Sequence, residues 1–158
     1  QNSMADMMGI LCPKVNSLRR FQPDFFVPMA PTWGIDNRTV ALRIPNGKPA
    51  ARRIEHRVAG ADANPYLAMS AVLAGTHYGL TNDLTLDAPI TGNASDQVAP
   101  SLPLDWRSAQ SKLAQSHFAK TYLGADFLYV YQAVQEAEYR QFDSQITSLE
   151  IDWYYRTL

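Results

Sequence analysis

The residues best suited to chemistry are arginines in the first part of the chain, together with one carboxylate. A strand from Arg52 to Val58 would place Arg53, Glu55 and Arg57 on one face, because side chains alternate between the two faces of a strand. Guanidinium groups bind carboxylate and phosphate oxygens through paired hydrogen bonds. The pattern predicts a site for two anions, a phosphate chain and a carboxylate, with Glu55 contacting a divalent cation that bridges phosphate oxygens.

Charge is distributed unevenly along the chain, although its net charge is only −1. Residues 1–60 hold nine basic and four acidic residues, whereas the remainder holds five basic and eleven acidic residues. Seven of the nine are arginines. We therefore expect any anion site within residues 19–57. Composition alone would favour a solvated basic face over a site, but side chains that project from one face of a strand favour a site.

A nucleic-acid or polyanion binder is an alternative function for this basic segment. The segment lacks the interleaved aromatic side chains that stack on bases, so we expect no nucleic-acid partner. No stretch approaches the roughly 18 consecutive apolar residues of a membrane span, and we expect a cytoplasmic protein without a membrane partner.

The remaining reactive side chains predict no second site. Cys12 is the only cysteine and has no neighbouring zinc ligand, so we expect a free thiol. His56 falls on the opposite face from Glu55, and we interpret it as structural. The sequence holds neither a glycine-rich phosphate loop nor a credible Ser/His/Asp triad.

Two short strands are expected to carry the arginines. Hydrophobic alternation predicts the first over 39–44, with Val40, Leu42 and Ile44 on one face. Residues 45–49 contain two prolines and a glycine and predict a turn before the second strand. Upstream, the three prolines of residues 23–31 predict a shaped loop in place of a helix.

Helices are expected to form most of the remaining chain. Spacing and capping residues predict helical regions over 2–11, 64–78 and 105–116, and one or two helices after Gly124. Gly79 is expected to end the second region, and residues 81–104 to form a long surface loop. The fold class is α+β, with a few antiparallel strands followed by helices.

Four successive segments resemble the C-terminal motifs of the glutamine synthetase superfamily, in both order and spacing. The amino-acid sequence of Thr32–Thr39 is more similar to that of the γ-glutamylpolyamine synthetases of the superfamily than to that of its housekeeping members. The four segments are Asn16–Phe21, Asp36–Pro45, Ala51–Arg57 and Ala61–Tyr66.

The resemblance implies that residues 1–158 are the C-terminal part of a longer catalytic domain. Its first half, which supplies most metal ligands in the family, and an N-terminal β-grasp domain would then lie outside this sequence. The first residue, Gln1, agrees with that expectation. We expect the 158 residues alone to be inactive.

The resemblance also implies an activity: ATP-dependent joining of the γ-carboxylate of glutamate to an amine or ammonia, through a γ-glutamyl phosphate, with Mg²⁺ or Mn²⁺. Family members are ring-shaped homo-oligomers. Position by position, the resemblance assigns Arg20 and Arg57 to glutamate, Arg38 and Arg43 to the ATP phosphates, Arg53 to the nucleotide and Glu55 to the metal, with Arg38 as the catalytic residue.

One position departs from the family pattern. Family glutamine synthetases carry a mobile glutamate that closes the site and helps to deprotonate ammonium, and counting back from Pro28 places Phe26 there. Asp24 lies two residues away, at the wrong spacing. An apolar ring favours the methylenes of a longer amine, so we expect a polyamine or alkylamine substrate. The alternatives are a glutamine synthetase that uses ammonia and a non-catalytic relative, which would not need so many clustered arginines.

Overall fold

The computed structural model describes residues 1–22 and 25–155. Within these residues, short 3₁₀ turns at Ala5–Met7, Pro49–Ala51 and Ala94–Asp96 accompany three strands and seven α-helices. The strands are β1 (Trp33–Ile35), β2 (Leu42–Ile44) and β3 (Glu55–His56). The helices are α1 (Met8–Leu11), α2 (Val15–Arg19), α3 (Pro65–Thr81), α4 (Trp106–Gln115), α5 (His117–Leu123), α6 (Ala125–Asp143) and α7 (Ser148–Tyr154).

The strands form one mixed sheet with β2 in the centre. β2 and β3 are antiparallel, as predicted, and their register pairs Arg43 with Glu55. β1 was not predicted, and it runs parallel to β2, so the expectation of antiparallel strands does not hold for it. Residues 36–41 turn the chain back to the start of β1, helped by Asp36, whose φ of +48° lies in the left-handed region. The α+β class is confirmed.

Both predicted strands are shorter than the sequence pattern suggested. Residues 39–41 belong to a turn, because the side chain of Asn37 accepts the amide of Thr39 at 2.9 Å. Residues 52–54 have no strand assignment, so regular pairing begins only at Glu55. The sheet is therefore small and depends on the helices for its stability.

Helices α1 and α4 pack together in the core. Met8, Ile10 and Leu113 are almost completely buried. Trp106 of α4 donates its indole N–H to the carbonyl oxygen of Pro13 at 3.0 Å, and Tyr131 of α6 donates its hydroxyl to the carbonyl oxygen of Gly9 at 2.8 Å. These contacts attach the N-terminal segment, and through it the site, to the C-terminal helices.

Helix α3 begins as predicted, with the Asn64 side chain accepting the amide of Tyr66, but the predicted stop at Gly79 is wrong. The helix continues to Thr81 because Asn82 satisfies the carbonyl of Tyr78 through both its backbone and its side chain. The helix from Trp106, capped by Asp105, is confirmed, and two helices follow Gly124. Helices α2 and α5 were not predicted, since five and seven residues are too short for a clear period.

Among the described helices, none is both long enough and apolar enough to cross a membrane.

We predict that Gly9→Ala lowers the free energy of unfolding by about 1–3 kcal/mol, because the added methyl group overpacks a closed contact. A Cβ at position 9 would lie 3.0 Å from Leu113 Cδ2 and 3.2 Å from the Ala109 carbonyl oxygen. Gly79→Ala is the matched control, since nothing lies within 4 Å of its added Cβ. It should stabilise the helix by up to about 1 kcal/mol. Urea unfolding of both variants decides, and a Gly9→Ala variant as stable as Gly79→Ala would contradict the packing.

Candidate anion-binding site

Glu55 lies at the centre of the candidate site and accepts hydrogen bonds from two arginines. Arg43 Nη1 donates to Glu55 Oε2 at 2.7 Å, and Arg57 Nε donates to Glu55 Oε1 at 3.2 Å. The hydrogen bond from Arg43, with a smaller contribution from Arg57, lowers the pKa of the Glu55 carboxyl. Both carboxylate oxygens therefore face guanidinium groups, and Glu55 is ionised at neutral pH.

Asp36 is the fourth charged member of this group, and the sequence reasoning did not assign it to the site. Its Oδ1 forms an ion pair with Arg43 Nη2, and its Oδ2 accepts from Asn46 Nδ2 at 3.3 Å. The hydrogen bonds that Arg43 donates to Glu55 and then to Asp36 raise the pKa of Arg43. We call Asp36, Arg43, Glu55 and Arg57 the Glu55 cluster. An acidic residue directly after β1 was the only sequence signal for it.

Arg57 also connects the sheet to the loop that carries Phe26. Its guanidinium donates long hydrogen bonds to the carbonyl oxygens of Val40 at 3.4 Å and Phe26 at 3.5 Å. Phe26 has a φ of +50°, which is rare for a residue with a Cβ, and its ring is 69% exposed. Asp24, considered above as a substitute carboxylate, lies outside the described residues.

Arg20 lies on the other side of the segment that follows β3. Its Nη2 donates to the carbonyl oxygen of Val58, and its Nε donates to that of Ser17 at 3.2 Å. Buried Cys12 donates to the same Val58 oxygen at 3.2 Å, and burial raises the pKa of its thiol. Arg20 therefore fixes the backbone that carries Arg57, and its guanidinium is occupied by carbonyl oxygens.

Arg38 is held on a turn whose backbone is fixed by its two neighbours. Asn37 Nδ2 donates to the carbonyl oxygens of Ile90 at 3.0 Å and Gly92 at 2.8 Å, and its Oδ1 accepts from Thr39 Oγ1 at 2.7 Å. The turn is thus joined to residues 90–92, and the side chain of Arg38 is exposed.

Arg53 and His56 are placed differently from Arg57. Arg53 precedes β3, is exposed, and donates a long hydrogen bond, 3.4 Å, to the carbonyl oxygen of Ala51. His56 lies on the opposite side of β3 from Glu55, as the alternation predicted, and burial lowers its pKa to about 4. His56 is neutral at physiological pH and adds no charge to the site.

The Glu55 cluster lies on an open face of the sheet. The grooves of about 790, 450 and 370 Å³ on the described surface are lined mainly by helical residues and include no member of the cluster. Among the described residues there is also no group of three or more His, Cys, Asp or Glu side chains that could hold a metal ion. Glu55 supplies a single carboxylate, so a divalent cation there would need further ligands, such as a second carboxylate or substrate phosphates.

The small sheet that carries the paired arginines, with its backing helices, belongs to a glutamine synthetase catalytic domain. The family model "Glutamine synthetase, catalytic domain" matches residues 1–154, and the chain belongs to this family. The resemblance drawn from the four sequence motifs is confirmed.

Particular relatives are also similar over nearly the whole chain. "Gamma-glutamylputrescine synthetase PuuA" of Escherichia coli (strain K12) is 45% identical over 150 residues, which are 95% of this chain and 32% of the relative. "Type-1 glutamine synthetase 2" of Dictyostelium discoideum is 38% identical over 96% of this chain and 30% of the relative. The solved structure "Apo GmaS without ligand" matches with a TM-score of 0.82 and 26% identity, over 98% of this chain and 36% of that one. The chain spans about a third of the length of these relatives.

We predict that Asn37→Ala loosens the Arg38 turn, because it removes hydrogen bonds to Thr39, Ile90 and Gly92. Hydrogen exchange at the Thr39 amide should accelerate about five- to tenfold, as expected when a hydrogen bond worth about 1 kcal/mol is lost. Asn82→Ala, at the end of α3, is the matched control and should leave the Thr39 amide protected. Equal Thr39 protection in Asn37→Ala and wild type would contradict this assignment.

Proposed function

We propose that this chain supplies the arginine-rich part of the active site of a ligase that joins glutamate to an amine at the expense of ATP. The observation that carries the proposal is the placement of Arg43 and Arg57 on the two oxygens of Glu55. Membership of the glutamine synthetase family supports the reaction class. Because the chain spans only a third of its relatives, the activity belongs to a longer protein, and we propose that the chain alone is inactive.

The physical requirement of this reaction is to bring two anions together. The triphosphate of ATP and the γ-carboxylate of glutamate repel each other, and fixed guanidinium groups offset that repulsion without reorganisation. We propose that Arg38 contacts the transferring phosphoryl group, since its side chain projects from a rigid turn. In the first step the γ-carboxylate of glutamate takes the terminal phosphoryl group of ATP, which forms γ-glutamyl phosphate and ADP. Attack of the amine on the γ-glutamyl phosphate then forms the amide and releases phosphate.

The other arginines would bind the parts of the substrates that do not react. We propose that Arg43 contacts the ATP phosphates, that Arg57 contacts the carboxylate of glutamate, and that Arg53 contacts the nucleotide. Arg20 is proposed to act on glutamate, and its bonds to carbonyl oxygens support a contribution through the backbone beside Arg57.

Glu55 is the proposed metal ligand of this chain, for Mg²⁺ or Mn²⁺. Its side chain is 40% exposed and offers the hard carboxylate oxygen that these cations prefer. The described residues alone do not complete such a site, so the other ligands would come from elsewhere in the longer protein. When bound, the cation would offset phosphate charge.

The proposed acceptor is a polyamine or alkylamine. The exposed ring of Phe26 lies at the loop that Arg57 contacts, where an apolar wall would favour the methylenes of a longer amine over ammonium. The name of the Escherichia coli relative, a γ-glutamylputrescine synthetase, supports this choice. The name of the Dictyostelium relative, a glutamine synthetase, supports ammonia as the second candidate.

We further propose that the longer protein is a homo-oligomer. Several large apolar side chains on the described helices are exposed and need a covering surface. They include Tyr66, Met69, Leu73 and Leu80 of α3, Val130 and Val134 of α6, and Leu149 and Ile151 of α7.

In the longer protein, Arg57→Ala should raise the KM for glutamate at least tenfold, because it removes a charge-assisted contact worth about 1.5–3 kcal/mol. Arg38→Ala should mainly lower kcat, because its partner charge develops during phosphoryl transfer. Steady-state ADP release, measured with glutamate and an amine, separates the two effects.

Arg140→Ala is the control for these variants, since Arg140 pairs with Glu136 on the exposed face of α6. If both Arg57→Ala and Arg38→Ala changed only the KM for ATP, the proposed roles would be wrong. Glutamate- and amine-dependent phosphate release by the purified 158-residue chain would contradict the proposal that it is inactive alone.

Phe26→Glu in the longer protein should shift its preference from putrescine towards ammonia. We expect the ratio of kcat/KM values for the two acceptors to change about tenfold, because a carboxylate attracts ammonium and the apolar wall is lost. Phe25→Glu is the matched control, since Phe25 is the adjacent exposed aromatic residue and should have a smaller effect. An unchanged ratio in Phe26→Glu would remove Phe26 from acceptor selection.

A further inference from the structure

Asp36 is a second carboxylate, besides Glu55, in a site whose arginines favour anion binding. Its side chain is 45% exposed, whereas that of Arg43 is 15% exposed, so the carboxylate covers the outer end of a largely buried guanidinium. One of its oxygens contacts Arg43, and Asn46 donates to the other. Such an arrangement holds the carboxylate in one orientation.

The contact with Asp36 determines how Arg43 meets Glu55. A guanidinium group commonly binds one carboxylate through two parallel hydrogen bonds. Here the two terminal nitrogens of Arg43 diverge, with Nη1 on Glu55 and Nη2 on Asp36. Glu55 consequently receives one bond from Arg43, and its second oxygen remains accessible to Arg57.

The same pairing leaves little free positive charge within the cluster. Two arginines face two carboxylates, so an incoming phosphate chain must compete with Asp36 and Glu55 for the same nitrogens. The carboxylates are 45% and 40% exposed, and ion pairs that solvent reaches in this way are weak, so a polyphosphate can displace them.

We propose that Asp36 is a positioning residue of the anion site: it divides Arg43 between two carboxylates and acts as an internal competitor that weakens phosphate binding. The inference rests on the proposed function, because it requires Arg43 to bind a phosphate chain. It adds a role for a carboxylate to which the proposed function assigns none.

The test uses the purified 158-residue chain and tripolyphosphate, titrated by calorimetry at low salt. Asp36→Asn removes the competing charge, and asparagine is among the residues that best tolerate a φ of +48°. We expect tripolyphosphate to bind about two- to fivefold more tightly to this variant, as follows from losing a weak competing ion pair. An unchanged or weaker affinity would overturn the role of Asp36.

Two further variants separate this inference from the proposed function. Asp87 is exposed and lies in a loop, where its backbone carbonyl oxygen accepts the indole N–H of Trp33. Its side chain takes part in none of the ion pairs between described residues, so Asp87→Asn removes one exposed charge outside the site. It controls for overall charge, and an effect as large as that of Asp36→Asn would overturn the specific role. Arg43→Gln should weaken binding severalfold. If Arg43→Gln had no effect, the proposed phosphate role of Arg43 would fail instead.

A spectroscopic measurement tests the positioning itself. In the wild type, contacts at both ends should slow rotation of the Arg43 guanidinium, giving separate Nη–H signals in ¹⁵N-edited NMR spectra. Asp36→Asn should average these signals while backbone signals of α4 stay unchanged. Asn46→Ala, which leaves the charge of Asp36 in place, should broaden them. Averaged Arg43 signals in the wild type, or separate signals in Asp36→Asn, would overturn the proposal.

Discussion

The ion pair between Arg43 and Glu55 is the interaction around which the described site is organised. It joins neighbouring positions on β2 and β3, so the register of two very short strands and the alignment of opposite charges support each other. Arg57 extends the pair towards the Phe26 loop, and Asp36 extends it towards the end of β1. A change at any of these positions therefore affects both the sheet and the charge pattern.

Because the sheet has only three short strands, the surrounding chain must hold it in place. Asn37 connects the Arg38 turn to residues 90–92, and Arg20 holds the segment that follows β3 through its carbonyl oxygens. The close contact of Gly9 with α4 in turn attaches the N-terminal segment to the helices. The stability of the helical core thereby determines how rigidly the arginines are presented.

The Glu55 cluster lies on an open face, which agrees with the chain spanning only about a third of the length of its relatives. Its relatives are about three times longer, and the chain matches 32% of the Escherichia coli protein. The proposed reaction brings two anions together, which needs cations from several directions and protection from solvent. The described residues provide arginines and the proposed metal ligand Glu55, on a surface that a larger protein would have to cover.

The sequence by itself determined the family, the α+β class, the helices that begin after Asn64 and Asp105, and the shared side of Glu55 and Arg57. Each of these follows from local signals: motif order, capping residues and strand alternation. Only the tertiary structure decided that β1 runs parallel to β2, that α3 passes through Gly79, and that Asp36 joins Arg43. Strand direction and ion pairing depend on contacts between distant parts of the chain, and neither periodicity nor composition encodes them.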